Sequence, residues 1–107
     1  MSYKISKELL SEVLGINIDE NDIYITNNYI YYAYCRSDNE WINPSLTIYE
    51  LVHKCKEWLL GRGYDNWSGY HENEYFCFII TKGAFISTSE QQAVFDACQW
   101  VLDNKEK

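Results

Sequence analysis

The chain is poor in several features that would announce a function. It has one proline and five glycines in 107 residues. That is too few for a Pro/Gly-rich linker or low-complexity tail, so a single domain over residues 1–107 is expected. No apolar run reaches about 18 residues, so no transmembrane helix is read from it. Cations are scarce, with 9 Lys and Arg against 16 Asp and Glu and a net charge of −7. Binding nucleic acid by counterion release requires clustered cations. The largest basic group, Lys54, Lys56 and Arg62, is interleaved with Glu50 and Glu57 and reads as a solvated helix face. Neither direct nucleic-acid contact nor a membrane is therefore expected. The opening residues, Met1 to Glu8, carry no apolar stretch of the signal-peptide kind, and the expected location is cytoplasmic.

Chemical motifs are missing as well. Cys35, Cys55, Cys77 and Cys98 are spaced about twenty residues apart, so there is no C-x-x-C pair and no structural-zinc signature. No P-loop, dinucleotide fingerprint, H-E-x-x-H or G-x-S-x-G occurs. Asp19, Glu20 and Asp22 lack the glycine that a calcium loop of the EF-hand type demands. No cofactor, metal or catalytic set follows from the sequence, and the chain is read as a non-enzyme.

What is present is apolar and aromatic. Apolar residues make up 47% and aromatic residues 17%, with ten tyrosines and four tryptophans, which excludes a disordered chain. Ile5, Leu9, Leu10, Val13 and Leu14 recur at helical spacing and predict a helix over 6–14, stopped by Gly15. Ile23 to Thr26 and Tyr29 to Cys35 read as a hairpin, with Asn27-Asn28 supplying the positive φ of a tight turn. Residues 36–45 read as a loop with a short strand near Trp41. Thr47 and Glu50 fit a capping box that opens a second helix, with Ile48, Leu51, Val52, Cys55, Trp58 and Leu59 as its stripe. Asn66 to His71, Glu74 to Lys82 and Ala84 to Ser87 read as a meander turning at Glu72-Asn73. Two overlapping capping boxes, Ser87 with Glu90 and Thr88 with Gln91, open the last helix. Ala93, Val94, Ala97, Cys98, Val101 and Leu102 form its stripe, which leaves Phe95 and Trp100 on a flank or at a partner.

The fold class is α+β, in the order α-ββ-α-ββ(β)-α, a mostly antiparallel sheet packed with three amphipathic helices. Phe76, Phe78 and Ile80 share one face of their strand and Tyr75, Cys77 and Ile79 the other. Apolar residues on both faces predict helices on both sides of the sheet, in three layers. Two layers is the simpler alternative.

The run Ser89 to Leu102, with Leu51 to Trp58 before Gly61-Arg62-Gly63-Tyr64, resembles helices of small phage and prophage proteins, some of them similar to a phage sandwich domain of helices around a sheet. The resemblance covers roughly 47–104 and leaves out the first hairpin. It implies provenance and fold, and no catalytic residues.

The concentration of tyrosines at 24, 29, 31, 32 and 34 is the most unusual feature. Cross-strand aromatic pairing accounts for it structurally; an exposed aromatic contact surface accounts for it functionally. The candidate interaction surface is Tyr24, Tyr29 and Tyr31, rimmed by Asp19, Glu20, Asp22, Asp38 and Glu40. The expected role is that of a small accessory protein acting on an unidentified protein partner or on a second copy. One form of that role is an inhibitor that competes with phosphate for a host nucleic-acid-binding protein. The alternative is a small enzyme or metal-binding protein built on Cys35, beside Arg36, or on His71 with Glu72 and Glu74. His53 and Cys55, two apart, point to different sides of their helix and cannot share a metal.

Overall fold

The computed structural model describes residues 3–18, 23–35, 41–42, 44–80 and 82–104, with the backbone alone for 35 and 41. Among the described residues three helices, α1 (Lys7–Leu14), α2 (Ile48–Gly61) and α3 (Glu90–Asn104), alternate with eight strands. These are β1 (Tyr24–Ile25), β2 (Tyr29–Tyr31), β3 (Tyr34–Cys35), β4 (Trp41–Ile42), β5 (Ser45–Thr47), β6 (Asn66–His71), β7 (Glu74–Ile79) and β8 (Gly83–Ser87). The strands form an antiparallel sheet β1-β2-β5, a short pair β3-β4 and an antiparallel meander β6-β7-β8. The fold is α+β in the order read from the sequence.

Local chemistry sets the helix ends. Ser6 caps α1 by accepting from the Leu9 amide, and Gly15 closes it at φ 69° with its amide on the Ser11 carbonyl. Thr47 caps α2 with both halves of the capping box made, Thr47 to the Glu50 amide and Glu50 back to the Thr47 amide. Arg62, just past α2, pairs with Glu12 of α1 and lies 5.1 Å over the Trp58 ring. The start of α3 departs from expectation. Its cap is Ser89, whose Oγ accepts from the Gln92 amide at 3.1 Å. Gln92 does not complete a box, because its side chain is engaged elsewhere. It accepts from the Lys4 amide at 2.7 Å and donates to the Lys4 carbonyl at 2.9 Å, which pins the N-terminal segment to α3.

The turns correct a second expectation. Asn27 and Asn28 do not take positive φ; among the described residues the non-glycine ones that do are Glu72 (52°) and Asn73 (68°). The first turn is instead held by Thr26, whose Oγ1 accepts from the amides of Asn28 and Tyr29 at 3.2 and 3.0 Å. A threonine hydroxyl that satisfies two amides removes the need for a left-handed turn. The predicted long strand from Tyr29 to Cys35 is also divided. Its first half pairs with β5, whose residues the sequence places at the end of a loop (Ser45) and in the cap of the second helix (Thr47), and its second half pairs with β4 near Trp41.

The core is one cluster with α3 at its centre. Leu9, Leu10, Ile30, Ile48, Leu51, Cys55, Leu59, Cys77, Ile79, Ala93, Val94, Phe95, Ala97, Cys98 and Val101 are all buried. Phe95 is not a flank residue: it is 1% exposed, and Tyr3 meets it edge-on at 6.0 Å. The N-terminal segment, folded back by Gln92, is what covers it. Trp100 sits half-buried between Tyr64 and Phe85. Helices α2 and α3 pack on the face of the meander that carries Cys77 and Ile79, where Ser68 of β6 donates to Glu90 of α3 and Lys56 of α2 lies 3.5 Å from Glu90. Among the described residues the opposite face is open: Trp67 is 51% and Ile86 56% exposed there. The described residues therefore form no third layer at this sheet. Phe76 and Phe78 are half-buried because neighbouring side chains shelter them laterally: Trp67 stacks on Phe78 with ring centroids 4.5 Å apart.

Candidate functional site

The predicted tyrosine surface is built as a ladder. Register sets Tyr24 opposite Tyr31 and, on the other side of β2, Tyr29 opposite Thr47 and Tyr31 opposite Ser45. Alternation along β2 turns Ile30 into the core at 0% exposure and sends Tyr29 and Tyr31 outward. The Tyr31 ring is 6.1 Å from both Tyr24 and Tyr29. Tyr24 is 67%, Tyr29 43% and Tyr31 40% exposed. The structural and functional readings of these residues thus hold together: the rings pair across the hairpin and remain open to solvent. Tyr32 and Tyr34 belong to the other side, stacked on each other at 6.2 Å. Burial, and then the neighbouring Tyr34, raises the Tyr32 phenol above its ordinary pKa. The acidic rim at Asp19, Glu20, Asp22, Asp38 and Glu40 lies outside the described residues, as does the Cys35 side chain.

The remaining thiols are packing groups. Cys55, Cys77 and Cys98 are free and buried. The Cys98 thiol donates to the Cys55 carbonyl at 3.6 Å, and hydrogen bonding to Cys55 together with burial holds it far above the usual thiol range. Burial pushes Cys77 up to about 11, a shift that Lys56 opposes and Glu90 and Cys55 reinforce. A thiol nucleophile requires the opposite, a partly exposed thiolate. His53 is exposed and pairs with Glu57 one turn on at 3.1 Å, while Cys55 points inward, so the two do face different sides. His71 stands 3.6 Å from Glu72, both exposed, and opposite Glu74. Among the described residues no three His, Cys, Asp or Glu side chains converge as a metal-holding group.

The sequence reading passed over a second surface, the open face of β6-β7-β8. Its rows follow from the register. Trp67, Phe78 and Ala84 form one row, Gly69, Phe76 and Ile86 the next, and His71 and Glu74 the last. Gly69 has no side chain above the sheet, and the Phe76 ring lies over it, 3.6 Å from where a Cβ would stand. A cross-strand aromatic commonly shelters a strand glycine in this way. With Ala84 also small, the face sinks into a hollow of about 420 Å³ lined by Gly69, Phe76, Ala84 and Ile86 and rimmed by His71, Glu72 and Glu74. A glycine inside a strand pattern was the available sequence signal.

No family model matches the chain, and neither does any curated protein or solved structure. Among the described residues no helix is long and apolar enough to cross a membrane.

Proposed function

We propose that this chain is a small accessory protein of the phage or prophage kind, and that it works by contact with another protein through the tyrosine ladder of its first hairpin. The observation that carries this reading is the ladder itself: Tyr24, Tyr29 and Tyr31 lie side by side on one face, each at least 40% exposed. Tyrosine rings supply large contact area at low entropic cost and keep a hydroxyl for hydrogen bonding, which suits a surface that is wet when free and covered when bound. The net charge of −7 favours a basic partner. A nucleic-acid-binding host protein fits that chemistry, with this chain as its inhibitor; a second copy on the hairpin is the simpler version.

The test is retention of a defined host protein by the immobilised chain. Tyr31→Ala is compared with Leu60→Ala, which alters a 55% exposed side chain on α2. The proposal expects a salt-sensitive partner that is lost with Tyr31→Ala and kept with Leu60→Ala. A monomer that retains nothing, or the same proteins held by all three forms, overturns it.

A further inference from the structure

The open face of β6-β7-β8 runs from apolar to acidic along its strands, from the Trp67–Phe78–Ala84 row through Gly69–Phe76–Ile86 to Glu74, with Glu72 in the adjoining turn. Beside it lies β8, an edge strand that bonds β7 and pairs with no further strand among the described residues. Its sequence, Gly83-Ala84-Phe85-Ile86-Ser87, contains no charge and no proline. Those are the usual devices that keep an edge from pairing. Ala84 and Ile86 are exposed on the open side, while Phe85 turns inward to Trp100 at 6.2 Å.

We infer that this edge and face form a second docking site, which takes an extended basic segment of a partner protein added as a strand beside β8. A strand added about 4.8 Å from β8 sends alternate side chains over the open face. Two such side chains, two positions apart, stand beside Ala84 and Ile86. The one at Ala84 is apolar: it leans over that small residue toward Phe78 and its stacked partner Trp67. The one at Ile86 is Lys or Arg. Its methylene stem lies over Ile86 and the Phe76 ring, and its cation reaches the rim of the hollow at Glu74 and Glu72. Charge chooses this occupant. The rim carries two carboxylates on a chain of net charge −7, so an acidic strand is repelled, and a second copy brings the same excess of negative charge to the contact. The site lies on a different sheet from the tyrosine ladder and stands or falls separately from it.

The test is an amide-resolved NMR titration of the full chain with the synthetic hexapeptide Thr-Val-Thr-Arg-Thr-Arg, whose alternate residues present Val and then Arg on one face, and with its counterpart in which glutamate replaces each arginine. Saturable shifts are expected at residues 83–87, at 69–76 and at the Trp67 indole, with the basic peptide alone. Glu74→Lys and Glu72→Lys, both at exposed rim positions, each weaken binding about tenfold or more. Gly69→Leu fills the hollow from its floor and weakens binding with no change in charge. Equal binding of the two peptides, or no shift at 83–87, overturns the site. So do shifts at 83–87 that grow with the chain's own concentration before peptide is added. Shifts confined to Tyr24, Tyr29 and Tyr31 overturn this site and leave the hairpin proposal standing.

Discussion

On the N-terminal sheet the rings turned to solvent are tyrosines; Tyr70 and Tyr75 of the C-terminal sheet are exposed on its other side, but its open face carries Trp67 with Phe76 and Phe78 half-buried beside it. The first group keeps a hydroxyl on every ring and spans strands of two or three residues. The second group has few polar atoms and spans strands of five or six. Both sheets send their alternate residues into one core, Ile30 from the first and Cys77 and Ile79 from the second. The difference teaches that density of aromatic residues in a sequence and uncovered apolar surface in a fold are separate quantities. The tyrosine cluster is conspicuous by count, whereas the C-terminal face exposes Trp67 and Ile86, side chains without a hydroxyl, and apolar patches mark interaction sites.

The substitution with the largest expected effect tests whether the two sheets share a fate. Phe95→Ala removes a buried ring from the central helix and should cost about 3–5 kcal/mol in urea unfolding. Tyrosine and Trp67 signals should then be lost together, and separate transitions would divide the molecule into two cooperative units. Next in size is an alkaline effect seated on the C-terminal sheet. The folded Cys77 thiol has a pKa of about 11 against an ordinary 9.0. Below pH 9 both folded and unfolded chains hold the proton, and this contribution to stability is fully present. Between 9 and 11 the unfolded chain releases it and the folded chain does not, so stability falls as pH rises. The loss should be about 2–3 kcal/mol, read as the difference in melting behaviour between the parent chain and Cys77→Ala. A smaller effect sits where β5 of the N-terminal sheet runs into α2. Thr47→Ala breaks the capping box and should cost about 1 kcal/mol by the same unfolding measurement. Smallest of all, Tyr31→Ala and Trp67→Ser remove one exposed ring from each face. Each should cost under about 1 kcal/mol, which leaves a folded chain in which binding is tested separately.

Much of the fold was legible because local rules and tertiary needs agree. The α2 capping box, the Gly15 stop, the core thiols at Cys55, Cys77 and Cys98, and the meander from Asn66 to Ser87 follow from spacing and side-chain chemistry. Other features were not legible, for identifiable reasons. Ser45–Thr47 is too short, and too close to Pro44, to show alternation, so its pairing with β2 emerges only in three dimensions. Gln92 was free to choose between its own helix cap and the Lys4 backbone, and that choice depends on a segment 88 residues away. The tyrosine cluster is visible as a count along the chain, and alternation along β2 divides it, with Ile30 inward and Tyr29 and Tyr31 outward. The C-terminal face was missed because apolar residues on both sides of a strand read the same whether a helix covers them or aromatic neighbours shelter one another. Trp67 stacked on Phe78, with Phe76 over Gly69, is the second case.

The central claim is that both sheets send one side into a shared core and leave aromatic side chains to solvent on the other. Hydroxyl-radical footprinting of the free chain, read residue by residue at low concentration, tests it most directly. The account predicts strong oxidation at Tyr24, Tyr31, Trp67 and Ile86, with protection at Phe95, Cys77 and Cys98. Protection of Trp67 and Ile86 at a concentration where the chain is a monomer would contradict it, because something in the chain itself would then cover the face.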